Sequence, residues 1–361
     1  MKKIGILTLP FEPNYGWVLQ LWALYHFLQS RGYDVEVIDR RWNDKNPSFI
    51  KSLKRWIYYN VFCLHFSRFF ASKFKRTFEI RSSEEMTQNF NLKKYDAVIV
   101  GSDQVWRMEH TRGADLNYYL DFLKKRSDVV KIAYAASFGI DTWNGTVEEK
   151  DEVSALLSEF TLISVREETG IDICSNVFRV RAEHVLDPTM LLERKEYEKL
   201  LSSNHKKGGV VTYILDFNSL KSKIVDFVAM EKTVDVRNLF PQKHSLYSFH
   251  ISIDSWLSSI KDANFVIVDS FHGMVFSILF EKDFLVIGNK KRGLTRFKSL
   301  LGLLELEERL VDENVSNDLI RSIINTPVDY VKVNERLSQM KKKSINLLLR
   351  SLDLTKKSSN G

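Results

Sequence analysis

The chain has 361 residues, 44% hydrophobic and 27% charged, which are values of a folded globular protein long enough for two domains. Its two cysteines, Cys63 and Cys174, are too few for a disulfide framework and lie in no metal-ligand spacing, so a reduced, cytoplasmic setting without a metal is expected. The formal net charge is +7, and no apolar run reaches the roughly 20 residues needed to span a bilayer.

The apolar run Ile4–Pro10 is short and Glu12 follows at once, so Lys3–Leu9 reads as a first strand rather than a signal peptide. Val18, Leu21, Tyr25 and Leu28 then recur at helical spacing, and Arg31-Gly32 supplies a basic last turn and a C-capping glycine. Val35–Asp39 is the next strand. This βαβ opening implies a right-handed parallel crossover. It lacks GxGxxG, so a dinucleotide fingerprint is absent.

Residues 49–81 are unusual. Between Lys51 and Arg81 there are eight Lys or Arg against one acid, Glu79, which equals the excess of the whole chain. Aromatics are interleaved, from Trp56, Tyr58 and Tyr59 to Phe74 and Phe78. Such a segment suits two helices packed by their aromatic faces, an anionic membrane surface, or an acidic ligand. Nothing else in the chain resembles a nucleic-acid module.

Strands are then expected at Ala97–Val100, Val130–Ala135 and Leu162–Val165, with short ones at Phe178–Val180 and Val185-Leu186. Each ends in a polar cluster: Gly101–Trp106, Ala136–Gly139, Arg166-Glu167-Glu168 and Asp187-Pro188-Thr189. Strand ends of one parallel sheet share an edge, so these clusters should converge. The polar stretch closing Leu192–Gly209 marks a linker. Beyond it, strands at Val210–Leu215, Thr233–Val236, Phe265–Val268 and Phe284–Ile287 alternate with helices. This gives an α/β chain of two Rossmann-like βα domains facing a cleft, residues 1–200 and 208–316, followed by a basic helical tail, 317–361.

In the second domain, Phe265-Val266-Ile267-Val268 is a β-branched run of the kind buried on both faces of a parallel sheet. Asp269, Ser270 and His272 follow abruptly, and Met274, Val275, Ile278 and Leu279 fall at helical spacing. His272 therefore stands at a strand–turn–helix junction, where open α/β sheets bind ligands and where a helix start offers N–H groups to an anion. There it can act as acid or base; the plain alternative is a partly buried histidine beside two capping side chains. Arg166, Arg292 and Arg296 at element ends present forks suited to phosphate and carboxylate, or simply a salt bridge and a solvated helix end. There is no GxSxG, HExxH or P-loop signature.

Seven stretches in this order carry a resemblance: Asn14-Tyr15-Gly16 with Leu19-Gln20, Asp96–Trp106, Tyr134–Gly139, Ser164–Glu167, Asp187-Pro188-Thr189, Val268–Gly273 and Lys291–Phe297. Over nearly its whole length the chain resembles the polysaccharide pyruvyl transferase family. The resemblance implies a GT-B-like fold. It also implies transfer of pyruvate from phosphoenolpyruvate onto two hydroxyls of a sugar as a ketal, in bacterial capsular or exopolysaccharide biosynthesis. No cofactor is implied beyond the donor substrate. On this reading His272 is the acid/base, and Asp103 orients or deprotonates an acceptor hydroxyl. Arg166, Ser270, Arg292, Arg296, Asn14, Tyr15, Gly16, Ser102 and Gln104 are expected to bind substrate. Some branches of the family carry an arginine where Ser270 stands, so donor binding should fall to Arg166 or to Arg292 and Arg296. Family acceptors are often lipid-linked, which gives segment 49–81 a use as a peripheral membrane contact. The alternatives are a nucleotide-sugar-dependent GT-B glycosyltransferase or a non-catalytic carbohydrate-binding relative.

Overall fold

The computed structural model describes residues 1–42, 49–92, 94–201, 207–240, 250–289 and 293–354. Its first half runs β1 (Lys3–Leu7), α1 (Tyr15–Ser30), β2 (Asp34–Val37), α2 (Phe49–Ile57), a π-helical turn at Tyr58–Phe62, α3 (Leu64–Lys73) and α4 (Ser83–Leu92). It continues with β3 (Ala97–Val100), α5 (Met108–Thr111), β4 (Val130–Ala136), α6 (Val147–Leu157), β5 (Leu162–Val165), α7 (Glu168–Asn176), β6 (Glu183–His184) and α8 (Arg194–Glu198). The second half has β7 (Val210–Tyr213), α9 (Ser219–Lys232), β8 (Val236–Asn238), α10 (Ile253–Lys261), β9 (Phe265–Val268) and α11 (Phe271–Leu279). It closes with β10 (Phe284–Ile287), α12 (Thr295–Leu304), β11 (Leu310–Val311), α13 (Asn317–Asn325) and α14 (Tyr330–Asp353).

Both sheets are parallel. The first has the order β2-β1-β3-β4-β5-β6 and the second β11-β10-β9-β7-β8. In each, the chain first moves to one side and then returns to the other, so the switch points lie between β1 and β3 and between β7 and β9. Ligand crevices open beyond the carboxyl ends of strands at such points. Central strands such as Ala97–Val100 and Phe265–Val268 are buried at every position, which is why their sequences run apolar without alternation.

Two helices join the halves. Nearly all of α1 and all of α11 are buried, because each is covered by its own sheet on one side and by the other domain on the opposite side. Between them Tyr15 stacks on Trp256, with centroids 5.0 Å apart and rings 9° from parallel, and meets Tyr213 edge-on. One apolar cluster therefore runs from β1 through α1 and α11 into the second domain. The tail stretch splits between the domains. α13 packs on the second, burying Ile320, Ile323 and Ile324. The long α14 returns to the first, where Ser344 Oγ accepts the Leu186 N–H at 3.0 Å and Leu348 and Leu352 are buried.

Two local expectations differ from the structure. The stretch Phe178–Val180 is no strand: Arg179 sits in the left-handed region at φ 59°, and Phe178 packs against Phe138 and Trp143 as the core residue after α7. Pairing begins instead at Glu183–His184, just before Val185-Leu186. Thr233, expected to open a strand, is the left-handed C-cap of α9, which delays β8 to Val236.

Candidate active site

The site is assembled from strand ends. After β3, Gly101 has φ 122°, and a Cβ there would lie 2.3 Å from the Tyr134 carbonyl oxygen, so only glycine lets the chain turn so close to β4. The turn buries Ser102, whose hydroxyl donates to the Ala135 carbonyl at 3.1 Å. It presents Asp103 at φ 72°. Oδ1 of Asp103 accepts from the Gln104 N–H and from Arg166 Nη2, each at 2.9 Å.

Arg166 follows β5 and is almost wholly buried. Its other terminal nitrogen donates to Asp187 Oδ2 at 2.8 Å. Asp187 follows β6; its Oδ1 accepts from the Thr189 N–H and hydroxyl at 3.0 and 2.7 Å. On the far side, Oδ2 stands 3.6 Å from Nε2 of His272, in the first turn of α11. A chain of polar contacts thus runs Asp103, Arg166, Asp187, His272 from one domain into the other. Burial alone would raise the Asp187 carboxyl, but His272 and Arg166 outweigh it and hold it well below the usual range. Burial likewise opposes ionisation of Asp103, and Arg166, His272 and Arg296 again prevail, leaving it below its ordinary value. Both are carboxylates at neutral pH.

His272 is locked from the first domain. A Cβ on Gly16 would fall 2.1 Å from its Nδ1, so the glycine in the first turn of α1 is the space the imidazole occupies. Nε2 makes no hydrogen bond to the described residues. Next to it, the Phe271 ring is approached by two guanidinium groups, Arg166 at 5.0 Å and Arg296 at 5.6 Å from the ring centroid. Arg296, in the first turn of α12, is buried; burial and the nearby Arg166 pull its pKa down to about 10.

These groups enclose a cavity of about 360 Å³ between the domains, walled by Asp103, Gln104 and Arg107 on one side and by Ser270, His272 and Arg296 on the other. Ser270 occupies the N-cap position of α11 without capping it through its side chain. The helix start therefore remains a place where backbone N–H groups meet an anion.

Of the residues singled out in sequence, Asn14, Asp103, Gln104, Ser270, His272 and Arg296 line this cavity. Asn14 also caps α1, accepting from the Gly16 and Trp17 N–H groups at 2.8 and 3.2 Å. Gly16 backs His272, and Ser102 and Arg166 lie behind Asp103. Tyr15 points away, into the aromatic junction, and donates to the Ile251 carbonyl at 2.7 Å. Arg292 lies outside the described residues. Arg107, Asp216 and Phe271 also line the cavity, and with Asp187 they are residues to which the sequence alone assigns no role. The polar ends of β3 and β7 were the signal for Arg107 and Asp216. Among the described residues no group of three His, Cys, Asp or Glu is placed to hold a metal.

Solved structures with the same fold cover from 91% to 99% of the chain. The UDP-GlcNAc 2-epimerase of Neisseria meningitidis, bound to UDP-GlcNAc, is 12% identical with a TM-score of 0.53, covering 97% of this chain and 100% of its own. That of Methanocaldococcus jannaschii is 10% identical, TM-score 0.53, covering 91% and 93%. Glycyrrhiza uralensis UGT73P12 is 8% identical, TM-score 0.52, covering 99% and 96%. At these identities they establish the GT-B-like arrangement of two Rossmann-like domains and nothing of the chemistry. No curated protein matches the sequence. The sequence model for polysaccharide pyruvyl transferase matches residues 14–291, a span that includes the cap of α1 and the His272 junction, and the chain belongs to that family.

Proposed function

We propose that this transferase moves pyruvate from phosphoenolpyruvate onto two hydroxyls of a sugar, forming a cyclic ketal during assembly of a bacterial capsular or extracellular polysaccharide. The observation that carries this reading is His272 set against the ionised Asp187, on a cavity that also offers Arg296, Arg107 and the start of α11. Phosphoenolpyruvate brings a phosphate and a carboxylate, and the cationic wall with the helix N-terminus suits two anionic groups.

In the proposed reaction His272 delivers a proton to the methylene carbon, and the adjacent carbon becomes electrophilic. One sugar hydroxyl bonds to that carbon, the bond to the phosphate oxygen breaks, and the second hydroxyl closes the ring. Of the two hydroxyl protons released overall, one is balanced by the new methyl group and one by the departing phosphate. Asp103, held ionised, accepts a hydrogen bond from an acceptor hydroxyl and orients it. Arg296 and Ser270 steady the phosphate as charge develops on it, and Gln104 and Asn14 border the acceptor side. Arg166 is a positioning residue, acting through Asp103 and Asp187.

The test is phosphate release from phosphoenolpyruvate with dihydroxy sugar acceptors in deuterated water. Deuterium should enter the new methyl group, and His272→Gln should lower kcat by about 10²–10⁴-fold while the circular dichroism stays that of wild type. Full activity of the variant would remove His272 from the reaction. Turnover of a nucleotide sugar with phosphoenolpyruvate inert would overturn pyruvyl transfer.

A further inference from the structure

The surface of residues 49–81 is built unlike the rest of the molecule. On α2, Ile50, Leu53 and Trp56 are spaced at i, i+3 and i+6 and are 64, 46 and 60% exposed. Val61 and Phe78 extend the same segment at 44 and 61%. Five of the thirteen exposed large hydrophobics among the described residues thus fall within 29 positions. Lys54, Arg55, Arg68 and Lys73 are exposed among them. Behind Trp56, α2 does not close onto the domain: a cavity of about 410 Å³ is lined by Ser52, Arg55 and Trp56 of α2 and by Phe70, Arg76 and Arg81.

An exposed apolar stripe on a short helix, flanked by cations with one acid in the whole segment, matches a surface that is apolar beneath a layer of negative charge. We infer that α2 and α3 dock the protein on an anionic lipid bilayer, with Leu53 and Trp56 entering the headgroup boundary and the exposed Lys54, Arg68 and Lys73 facing lipid phosphates, while Lys75, Arg76 and Arg81 are held by Asp34, Asp39 and Glu79. The patch adjoins the cleft: Phe11 lines the α2 cavity, and Asn14, three residues on, lines the active-site cavity. The dock would hold the cleft mouth near substrates carried at the membrane. The inference stands whether or not the transferred group is pyruvate.

The test is flotation of the full-length protein with vesicles of phosphatidylcholine alone or with about a third phosphatidylglycerol. Binding should require the anionic lipid and weaken steeply with salt. Leu53→Ser with Trp56→Ser, and separately Lys54→Ser with Arg68→Ser and Lys73→Ser, should each lower it at least about tenfold. Lys332→Ser on α14 should leave it unchanged. All six positions are exposed, so thermal midpoints should match wild type and exclude misfolding. Equal binding to both vesicles, undiminished binding of the Ser variants, or loss of binding to soluble glycerophosphate would each overturn the dock.

Discussion

Gly16 and His272 are 256 positions apart, yet the absence of a side chain at one fixes the ring of the other. Gly16→Ala should displace the imidazole and lower kcat/KM at least about 100-fold, with the helix content of the protein unchanged. Steady-state kinetics beside circular dichroism would check it. Asp187 makes a prediction with a pH sign. Its folded-state pKa is depressed, so its contribution to stability is fully present above the unfolded value of about 3.9 and is lost as pH falls below it. Asp187→Asn should destabilise by about 3–5 kcal/mol at neutral pH, because Arg166 loses a buried partner. In urea titrations the gap between wild type and variant should narrow below about pH 4. His272 was legible in the sequence because an apolar strand broke abruptly into polar residues. Asp187 was visible only as a cluster, since its role lies in contacts with Ser102, Arg166 and His272, which no spacing encodes.

At the scale of elements, the buried parallel strands were readable because both faces of β3 and β9 are covered, which leaves continuous apolar runs. Phe178–Val180 misled for a different reason: a lone core aromatic beside a left-handed residue mimics a short strand. The tail reads as helical from its spacing, but its return to the first sheet depends on partners far away in sequence. α14 supports the strand end that carries Asp187 through the Ser344–Leu186 bond. Leu348→Ala, at a fully buried position, should destabilise by about 2–5 kcal/mol. Val331→Ala, at a position 81% exposed, should stay within about 0.5 kcal/mol in the same denaturant titration.

Across the whole molecule, the two domains share an aromatic junction of Tyr15, Tyr213 and Trp256 beside the polar contacts of the cleft. An apolar interface of this kind restrains relative domain motion and couples unfolding. Trp256→Ala should cost about 3–5 kcal/mol, and both domains should still unfold in one transition, now at lower temperature. A split into two calorimetric transitions in the wild type would mean that the junction does not couple them. The facing of two sheets at their switch points follows from topology and places Asp103 opposite His272, which neither half contains alone. The proposed pyruvyl transfer rests on that placement, and thermal stabilisation of the purified protein by phosphoenolpyruvate, compared with UDP and GDP, tests it most directly. At about 100 times its dissociation constant the donor should stabilise by about 2.7 kcal/mol, and the shift should shrink in Arg296→Ala. Stabilisation by a nucleotide and none by phosphoenolpyruvate would contradict the proposed reaction.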